Sequence, residues 1–183
     1  RLLGDAGFRP DFFRSLLARD LDLDLDVGVG VGVDRDPAPA APASPYRIVA
    51  VQGADVDRWL DVIAEGNAIT SAAGRARSDE YAVAAHAAPG AVDFLAFDGN
   101  DPVGCGSIQV AGTAAWLGGA ATRPDHRGRG VQAALLAHRL AEARARGCTV
   151  AAATATPGGI SARNLQRAGL RPVDMQLVLT QRR

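Results

Sequence analysis

The chain has 183 residues, of which 20 are basic and 20 acidic, so its formal net charge at pH 7 is zero. This length fits one domain, or one domain with a fragment of another. The neutral balance argues against nucleic acid or an anionic membrane as a partner. No apolar run of about 18 residues is present, which argues against a membrane span. The two cysteines, Cys105 and Cys148, form neither a disulfide framework nor a metal-ligand pair. We therefore expect a cytoplasmic protein without a bound metal.

The first 45 residues differ in character from the rest of the chain. Asp20 to Val33 alternates Asp with Leu and then Gly with Val, which is the period of a strand but also of a low-complexity expansion. Asp34 to Pro45 is rich in Pro and Ala, which predicts an extended linker. We therefore expect an N-terminal stub over residues 1–25, a linker over residues 26–45, and a domain over residues 46–183.

Downstream of the linker, hydrophobic periodicity and turn residues predict alternating helices and strands. The predicted strands are Tyr46–Gln52, Ala91–Phe97, Pro102–Val110, Thr113–Thr122, Cys148–Thr156 and Arg171–Thr180. The predicted helices are Asp55–Glu65, Ser78–Ala88, Val131–Arg146 and Ser161–Ala168. We expect Asp55 and Ser78 as helix N-caps and Arg139 on the outer face of the third helix. This order predicts an α/β domain with a mixed, mostly antiparallel central sheet flanked by helices.

The stretch from Ala120 to Ala133, AATRPDHRGRGVQA, joins the fourth predicted strand to the third helix. Gly128 and Gly130 let backbone N–H groups approach a ligand without a Cβ in the way. The first N–H groups of a helix lack internal partners, and the helix dipole favours anions there. The loop and helix start therefore predict a pyrophosphate site, to which Arg127 and Arg129 add charge-assisted hydrogen bonds. A helix entry with solvated arginines is the alternative that these residues leave open.

This stretch resembles the central signature of the GCN5-related N-acetyltransferase (GNAT) superfamily, which runs Gln or Arg, two residues, Gly, one residue, then Gly or Ala. Here it reads RGRGVQ, from Arg127 to Gln132. The following VQAALLAHRLAEARARG resembles the family's third helix, and SARNLQRAGLRP resembles its fourth helix and the turn after it. The resemblance covers about Tyr46 to Arg183 and is strongest from Trp116 to Pro172.

The resemblance implies the GNAT fold, with a splay between strands four and five counted from Tyr46. It also implies an N-acetyltransferase that moves the acetyl group of acetyl-CoA to a primary amine by direct attack. The amine would belong to a small molecule or a peptide. The residues implied to hold acetyl-CoA are Ala120, Ala121, Thr122, Arg127, Gly128, Arg129, Gly130, Val131, Gln132, Ala133 and Asn164.

Each part of this set has an implied role. Backbone N–H groups from Gly128 to Ala133, together with Arg127, would hold the pyrophosphate. The strand end from Ala120 to Thr122 would pair with the pantetheine arm and polarise the thioester carbonyl. Asn164 would contact the arm, although a capping or helix-face role is the alternative for this residue.

Two positions depart from the family pattern. Gln132 stands where the family prefers Gly or Ala. Leu165 stands where many members carry the Tyr that protonates the leaving thiolate, so the general acid is unassigned. A thiol with a pKa of about 8.5 is already a fair leaving group, and transfer does not require this Tyr. The alternative is a non-catalytic acyl-CoA-binding or regulatory GNAT-like domain.

The general base is also unassigned, because several ionisable side chains precede the signature. A base with a pKa near about 7 would suit removal of the amine proton. The candidates are Glu65, Asp79, Glu80, Tyr81 and His86, each of which is also an ordinary solvated helix residue.

A short repeat links the two ends of the chain. Ala6-Gly7-Phe8-Arg9-Pro10 recurs, with one change, as Ala168-Gly169-Leu170-Arg171-Pro172. The first residue is Arg rather than Met, which fits a piece of a longer chain. We therefore expect the stub to be the tail of a preceding GNAT-like unit, with chance similarity as the alternative. The stub strand would pair with the following sheet, and the domain would associate with the preceding half or as a homodimer.

Overall fold

The computed structural model describes residue 6, residues 8–21 and residues 44–181. Seven strands form one sheet in the order β2-β3-β4-β5-β6-β1-β7. They are β1 (Phe8–Asp20), β2 (Arg47–Ala50), β3 (Ala91–Asp98), β4 (Asp101–Ala111), β5 (Ala114–Thr122), β6 (Val150–Ala155) and β7 (Arg171–Gln181). All neighbouring strands are antiparallel except β5 and β6, which are parallel. The predicted mixed, mostly antiparallel sheet is confirmed, and most of the predicted linker lies outside the described residues.

In the described part of the chain, four α-helices flank the sheet. They are α1 (Asp55–Gly66), α2 (Ala72–His86), α3 (Val131–Ala145) and α4 (Ile160–Arg167). The prediction that Ser78 caps the second helix is wrong, because Ser71 accepts the N–H of Gly74 at 3.1 Å and starts the helix earlier. Asp55 is the first residue of α1 rather than its cap, and the capping position is Ala54. Within the described residues, no helix is long and apolar enough to cross a membrane.

The sheet buries apolar side chains on both faces. One cluster joins α3 and α4 to the sheet and includes Leu17, Phe94, Ile108 and Leu135. The other joins α1 and α2 to the opposite face and includes Trp59 and Leu95. Neighbouring residues Phe94 and Leu95 enter different clusters because successive side chains of a strand point to opposite faces. Each fully buried side chain of this size contributes about 1.5–3 kcal/mol.

The N-terminal strand β1 lies inside the sheet, between β6 and β7. Among the described strands, β7 pairs with β1 alone, so its place in the sheet depends on residues 8–20. Leu17 of β1 is fully buried in the α3–α4 cluster. Arg19 donates a hydrogen bond of 2.6 Å to the carbonyl of Ala168, just after α4. The stub strand is therefore an integral part of the sheet that follows it in the chain.

Candidate active site

Strands β5 and β6 separate after a short parallel stretch. They pair only from Ala114 to Trp116 on β5 and from Val150 to Ala152 on β6. Beyond these pairs a cavity of about 170 Å³ opens between the two strands. The residues that line it are Leu117, Gly118, Gly119, Ala120, Gln132, Leu136, Arg139, Ala153, Thr154, Ser161, Asn164 and Leu165. The splay predicted between strands four and five counted from Tyr46 is confirmed. Its edges carry backbone N–H and C=O groups that can pair with an extended ligand.

A β-bulge shapes the β5 side of the cavity. Cys105 pairs with Ala121 and Ser107 with Gly118, so β5 has one residue more than β4 between these pairs. Gly119 lies within the bulge with φ 57°, in the left-handed region that favours glycine. A Cβ at this position would overlap the hydroxyl of Ser107. The bulge redirects the backbone of Gly119 and Ala120 away from regular pairing with β4.

The three strand residues predicted to contact the cofactor arm lie in two environments. Ala120 lines the cavity. Ala121 and Thr122 pair with β4 again, opposite Cys105 and Gly104, and are buried. The edge of β5 that faces the splay therefore runs from Leu117 to Ala120, slightly earlier than the sequence predicts.

The Gly/Arg loop brings the start of α3 to one end of the cavity. Gly128 and Gly130 have φ 75° and 87°, and a Cβ on either would meet nothing within 4 Å. The bond from the Ala134 N–H to the Gly130 carbonyl, at 3.0 Å, is the first of the helix. The N–H groups of Val131, Gln132 and Ala133 therefore have no acceptor within the helix, and the dipole makes this end attractive to an anion.

The two arginines of the loop are exposed. Arg127 donates to the carbonyl of Gly66, at the end of α1, over 2.8 Å. The carbonyl of Arg129 accepts a hydrogen bond of 2.8 Å from the hydroxyl of Tyr46. These contacts fix the loop between α1 and the segment before β2. Since a guanidinium has several N–H donors, Arg127 retains donors for a phosphate.

Gln132 connects the start of α3 to the end of β5. Its side-chain amide donates to the Ala121 carbonyl at 3.1 Å and to the Thr122 hydroxyl at 2.9 Å. Gln132 also lines the cavity. Three other predicted cofactor residues, Arg129, Gly130 and Ala133, line a separate groove of about 560 Å³ on the other side of α3. The unusual Gln132 therefore bridges the two elements that border the splay.

Helix α4 forms the opposite wall. Asn164 lines the cavity, and its Oδ1 accepts a hydrogen bond of 2.9 Å from Arg167. Leu165 is buried and presents an apolar surface to the same cavity. The sequence prediction missed two hydroxyl groups of the lining, Thr154 on β6 and Ser161 on α4. Ser161 lies one turn before Leu165, on the same helix face.

Arg139 is buried, which corrects the prediction that it faces outward. Only 3% of its surface is exposed. Its Nη1 donates to the carbonyls of Ser107 and Gly118 at 3.3 and 3.1 Å, beside the bulge. Gly106 makes this possible, because a Cβ there would lie 2.9 Å from Cζ of the guanidinium. Burial lowers the pKa of Arg139 to about 10, so the group stays positively charged at neutral pH.

The predicted base candidates have different surroundings. Glu65 pairs with Arg123, and Asp79 pairs with Arg75 on α2. Glu80 and Tyr81 are exposed on α2.

His86 differs from the other four because it contacts a buried carboxylate. Its Nδ1 lies 2.7 Å from Oδ2 of Asp93, whose other oxygen accepts the Ser107 hydroxyl. Asp93 is 4% exposed. This row of His86, Asp93 and Ser107 lies on the α1–α2 face and ends beside the Gly119 bulge. The sequence prediction missed Asp93 and Ser107, because pairing between β3 and β4 brings them together.

The parallel splay, the bulge and the bare helix start lie together in one α/β sheet domain. Residues 58–170 match the family model described as the acetyltransferase (GNAT) family. The chain belongs to this family, as its resemblance predicted. No curated protein matches the sequence.

Solved structures share the fold. A functionally unknown conserved protein from Staphylococcus epidermidis superposes with a TM-score of 0.69 at 11% identity, over 98% of this chain and 65% of its own. A GCN5-related N-acetyltransferase from Sphaerobacter thermophilus gives 0.64 at 22% identity, over 98% and 54%. AAC(6')-Iy, in complex with the bisubstrate analogue CoA-S-monomethyl-acetylneamine, gives 0.59 at 17% identity, over 75% and 98%. This chain therefore spans only about half to two thirds of the first two proteins.

Proposed function

We propose that this protein is an acetyl-CoA-dependent N-acyltransferase that moves an acetyl group to a primary amine of a small molecule or peptide. The observation that carries the proposal is the cavity between β5 and β6, which reaches the start of α3 at Gln132, where the first N–H groups have no acceptor within the helix. An extended arm with a pyrophosphate at one end fits both features. The CoA-containing analogue bound to AAC(6')-Iy, a protein of similar fold, supports this choice.

In the proposed complex, the pantetheine arm adds to the free edge of β5 from Leu117 to Ala120. The pyrophosphate binds the N–H groups from Gly128 to Ala133, with Arg127 adding charge. Asn164 contacts the arm from α4. A location in the reducing cytoplasm fits the two cysteines, which are free and buried.

The transfer needs no covalent enzyme intermediate. The amine nitrogen attacks the thioester carbon, a C–N bond forms, the C–S bond breaks, and CoA leaves as a thiolate that then takes a proton. The carbonyl oxygen gains negative charge, which the backbone N–H groups of the bulge can stabilise. Arg139 holds the bulge through Gly118 and adds a positive charge behind it. In this proposal Thr154 and Ser161, two hydroxyls of the cavity lining, donate to the leaving sulfur, which Leu165 cannot do.

The amine would approach from the α1–α2 face, opposite the face on which α3 and α4 border the cavity. The row of His86, Asp93 and Ser107 lies on that face beside the bulge. We place the proton acceptor in this row, with His86 as its exposed end. Replacing His86 by Gln should lower the rate of thiol release by about a hundredfold or more, whereas Tyr81→Phe on the same helix should leave that rate unchanged. An unchanged rate for His86→Gln would exclude this assignment.

Calorimetry with acetyl-CoA tests the site itself. Gly130→Glu places a carboxylate at the bare helix start and should abolish binding. Gly130→Gln imposes the same backbone strain without the charge and should retain part of the affinity, and Leu165→Ala should bind nearly as the parent does. No binding by the parent chain, or equal binding by the Glu and Gln variants, contradicts the proposed pyrophosphate site.

A non-catalytic acyl-CoA-binding domain is the second candidate, favoured by the apolar Leu165 in the cavity wall. Thiol release from acetyl-CoA across a panel of small-molecule and peptide amines separates the two functions. Tight acetyl-CoA binding without release for any amine would support the second candidate.

A further inference from the structure

Strands β1 and β7 begin with nearly the same sequence. Phe8-Arg9-Pro10 opens β1 and Leu170-Arg171-Pro172 leads into β7, each after an Ala-Gly pair. The two copies are 162 positions apart, since Ala168 corresponds to Ala6. The two strands are also antiparallel partners in the sheet.

The pairing of these strands is centred on the same offset. Its middle pair is Arg14 with Gln176, which are 162 positions apart. Any regular antiparallel pair of strands has a local two-fold axis, but bulges need not lie at positions that this axis relates. Here the bulges do, because the pairing skips Asp11 on β1 and Val173 on β7, which are again 162 positions apart. The sequence repeat, the centre of the pairing and the two bulges therefore all match a residue of β1 to the residue of β7 that lies 162 positions later.

This correspondence predicts what should lie beyond β7. β1 is covered on its outer side by β6, which pairs with Ser15 to Asp20. The positions of β7 that correspond to this stretch of β1 begin at Leu177. Among the described strands, none pairs with the outer edge of β7. Leu177, the first of these positions, is exposed. Leu179 corresponds to the fully buried Leu17, yet it is only half-buried.

We propose that the free edge of β7 binds the β6-like strand of a second GNAT-like unit, which precedes residue 8 in the same polypeptide. β1 is then the last strand of that preceding unit, and the two units exchange their last strands across one continuous sheet. A second copy of this chain does not fit this role, because each copy already pairs its β6 with its own β1. This chain covers 65% and 54% of the Staphylococcus and Sphaerobacter proteins of similar fold, so each of them has further residues outside the matched part.

The reading frame that encodes this chain gives the first test. We expect it to continue upstream of residue 1 and to encode a strand, a Gly-rich loop and a helix like those from β5 to α3. The 162-residue offset places the loop about 30 to 40 residues before residue 1. A frame that begins at residue 1, or an upstream sequence without these elements, overturns the proposal.

Hydrogen exchange on the full encoded polypeptide gives the second test, and β2 at the other edge of the sheet is its internal control. We expect all β7 amides from Leu177 to Gln181 to be protected as those of β1 are. Alternate amides of β2 should exchange about a hundredfold faster, because one side of that strand has no partner among the described strands. Alternating fast exchange in β7 would show a free edge and overturn the proposal.

A pair of variants of the same polypeptide completes the test. Leu179→Asp should lower the melting temperature about as much as Leu17→Asp does, because both side chains would lie in equivalent cores. Met175 corresponds to the exposed Phe13, so Met175→Asp should leave the melting temperature unchanged. A Leu179→Asp variant that melts like Met175→Asp contradicts the proposed exchange.

Discussion

The side-chain amide of Gln132 donates a 2.9 Å hydrogen bond to the hydroxyl of Thr122 and joins the start of α3 to the end of β5. A second bond, to the Ala121 carbonyl, fixes the same amide. Gln132, the residue that departs from the family pattern, therefore links the two sides of the proposed cofactor site by hydrogen bonds. The backbone N–H groups of the helix start stay free.

Changing Gln132 to Ala or Glu should separate these roles. Gln132→Ala loses two hydrogen bonds and should lower the free energy of unfolding by about 1–2 kcal/mol, with acetyl-CoA affinity within about threefold of the parent. Gln132→Glu keeps the size but places a negative charge where a pyrophosphate would bind, and should weaken affinity at least about tenfold. Urea unfolding and calorimetry measure the two effects, and equal affinities of the two variants would contradict the site.

Gly119→Ala should disrupt the bulge. The left-handed conformation costs a non-glycine residue about 1–2 kcal/mol, and the new Cβ also overlaps Ser107. Gly112 is the matched control, because its φ of 59° is similar and a Cβ there meets nothing within 4 Å. We expect Gly112→Ala to lose only the stability that the left-handed conformation costs and to keep its rate of thiol release. We expect Gly119→Ala to lose more stability and most of that rate. Indistinguishable variants would exclude a role for the bulge.

Arg139→Met should leave the carbonyls of Gly118 and Ser107 without their buried donor. Each unsatisfied buried group costs about 1–3 kcal/mol, offset partly by the smaller cost of burying an apolar side chain. Because Arg139 positions the bulge, we expect kcat to fall more than KM changes, with partial recovery in Arg139→Lys. The exposed Arg146, which directly follows α3 and pairs with Glu142 at 2.8 Å, is the control, and Arg146→Met should change stability by less than about 0.5 kcal/mol. A normal kcat for Arg139→Met would contradict the positioning role.

Cys105 should be unreactive in the folded protein. Burial raises its pKa to about 12, since the thiolate would lie without water between β4 and the α1–α2 cluster. At pH 8 the thiol therefore stays protonated, and only the thiolate is reactive. Mass spectrometry after iodoacetamide treatment at pH 8 should find Cys105 unmodified until urea unfolds the chain. Rapid modification of the folded protein would show that the α1–α2 core is open.

The residues alone determine the local elements of this protein. Strand alternation, helical periodicity and the Gly/Arg loop from Arg127 to Gly130 depend on neighbours in the chain, so they can be recognised without coordinates. The start of the second helix is an exception, because Ser71 and Ser78 are both residues that favour an N-cap. Only the hydrogen bond to Gly74 shows which one starts the helix.

Tertiary structure decides what lies opposite each element. The polar row of His86, Asp93 and Ser107 forms across a helix and two strands, and Arg139 is buried because Gly106 leaves room for it. No local sequence pattern predicts such contacts, because they join residues far apart in sequence. The short repeat indicates that the two ends of the chain are related, but only strand pairing places β1 between β6 and β7. That arrangement follows from burial of Leu17 and from backbone hydrogen bonds to both neighbours, which the chain satisfies only when folded.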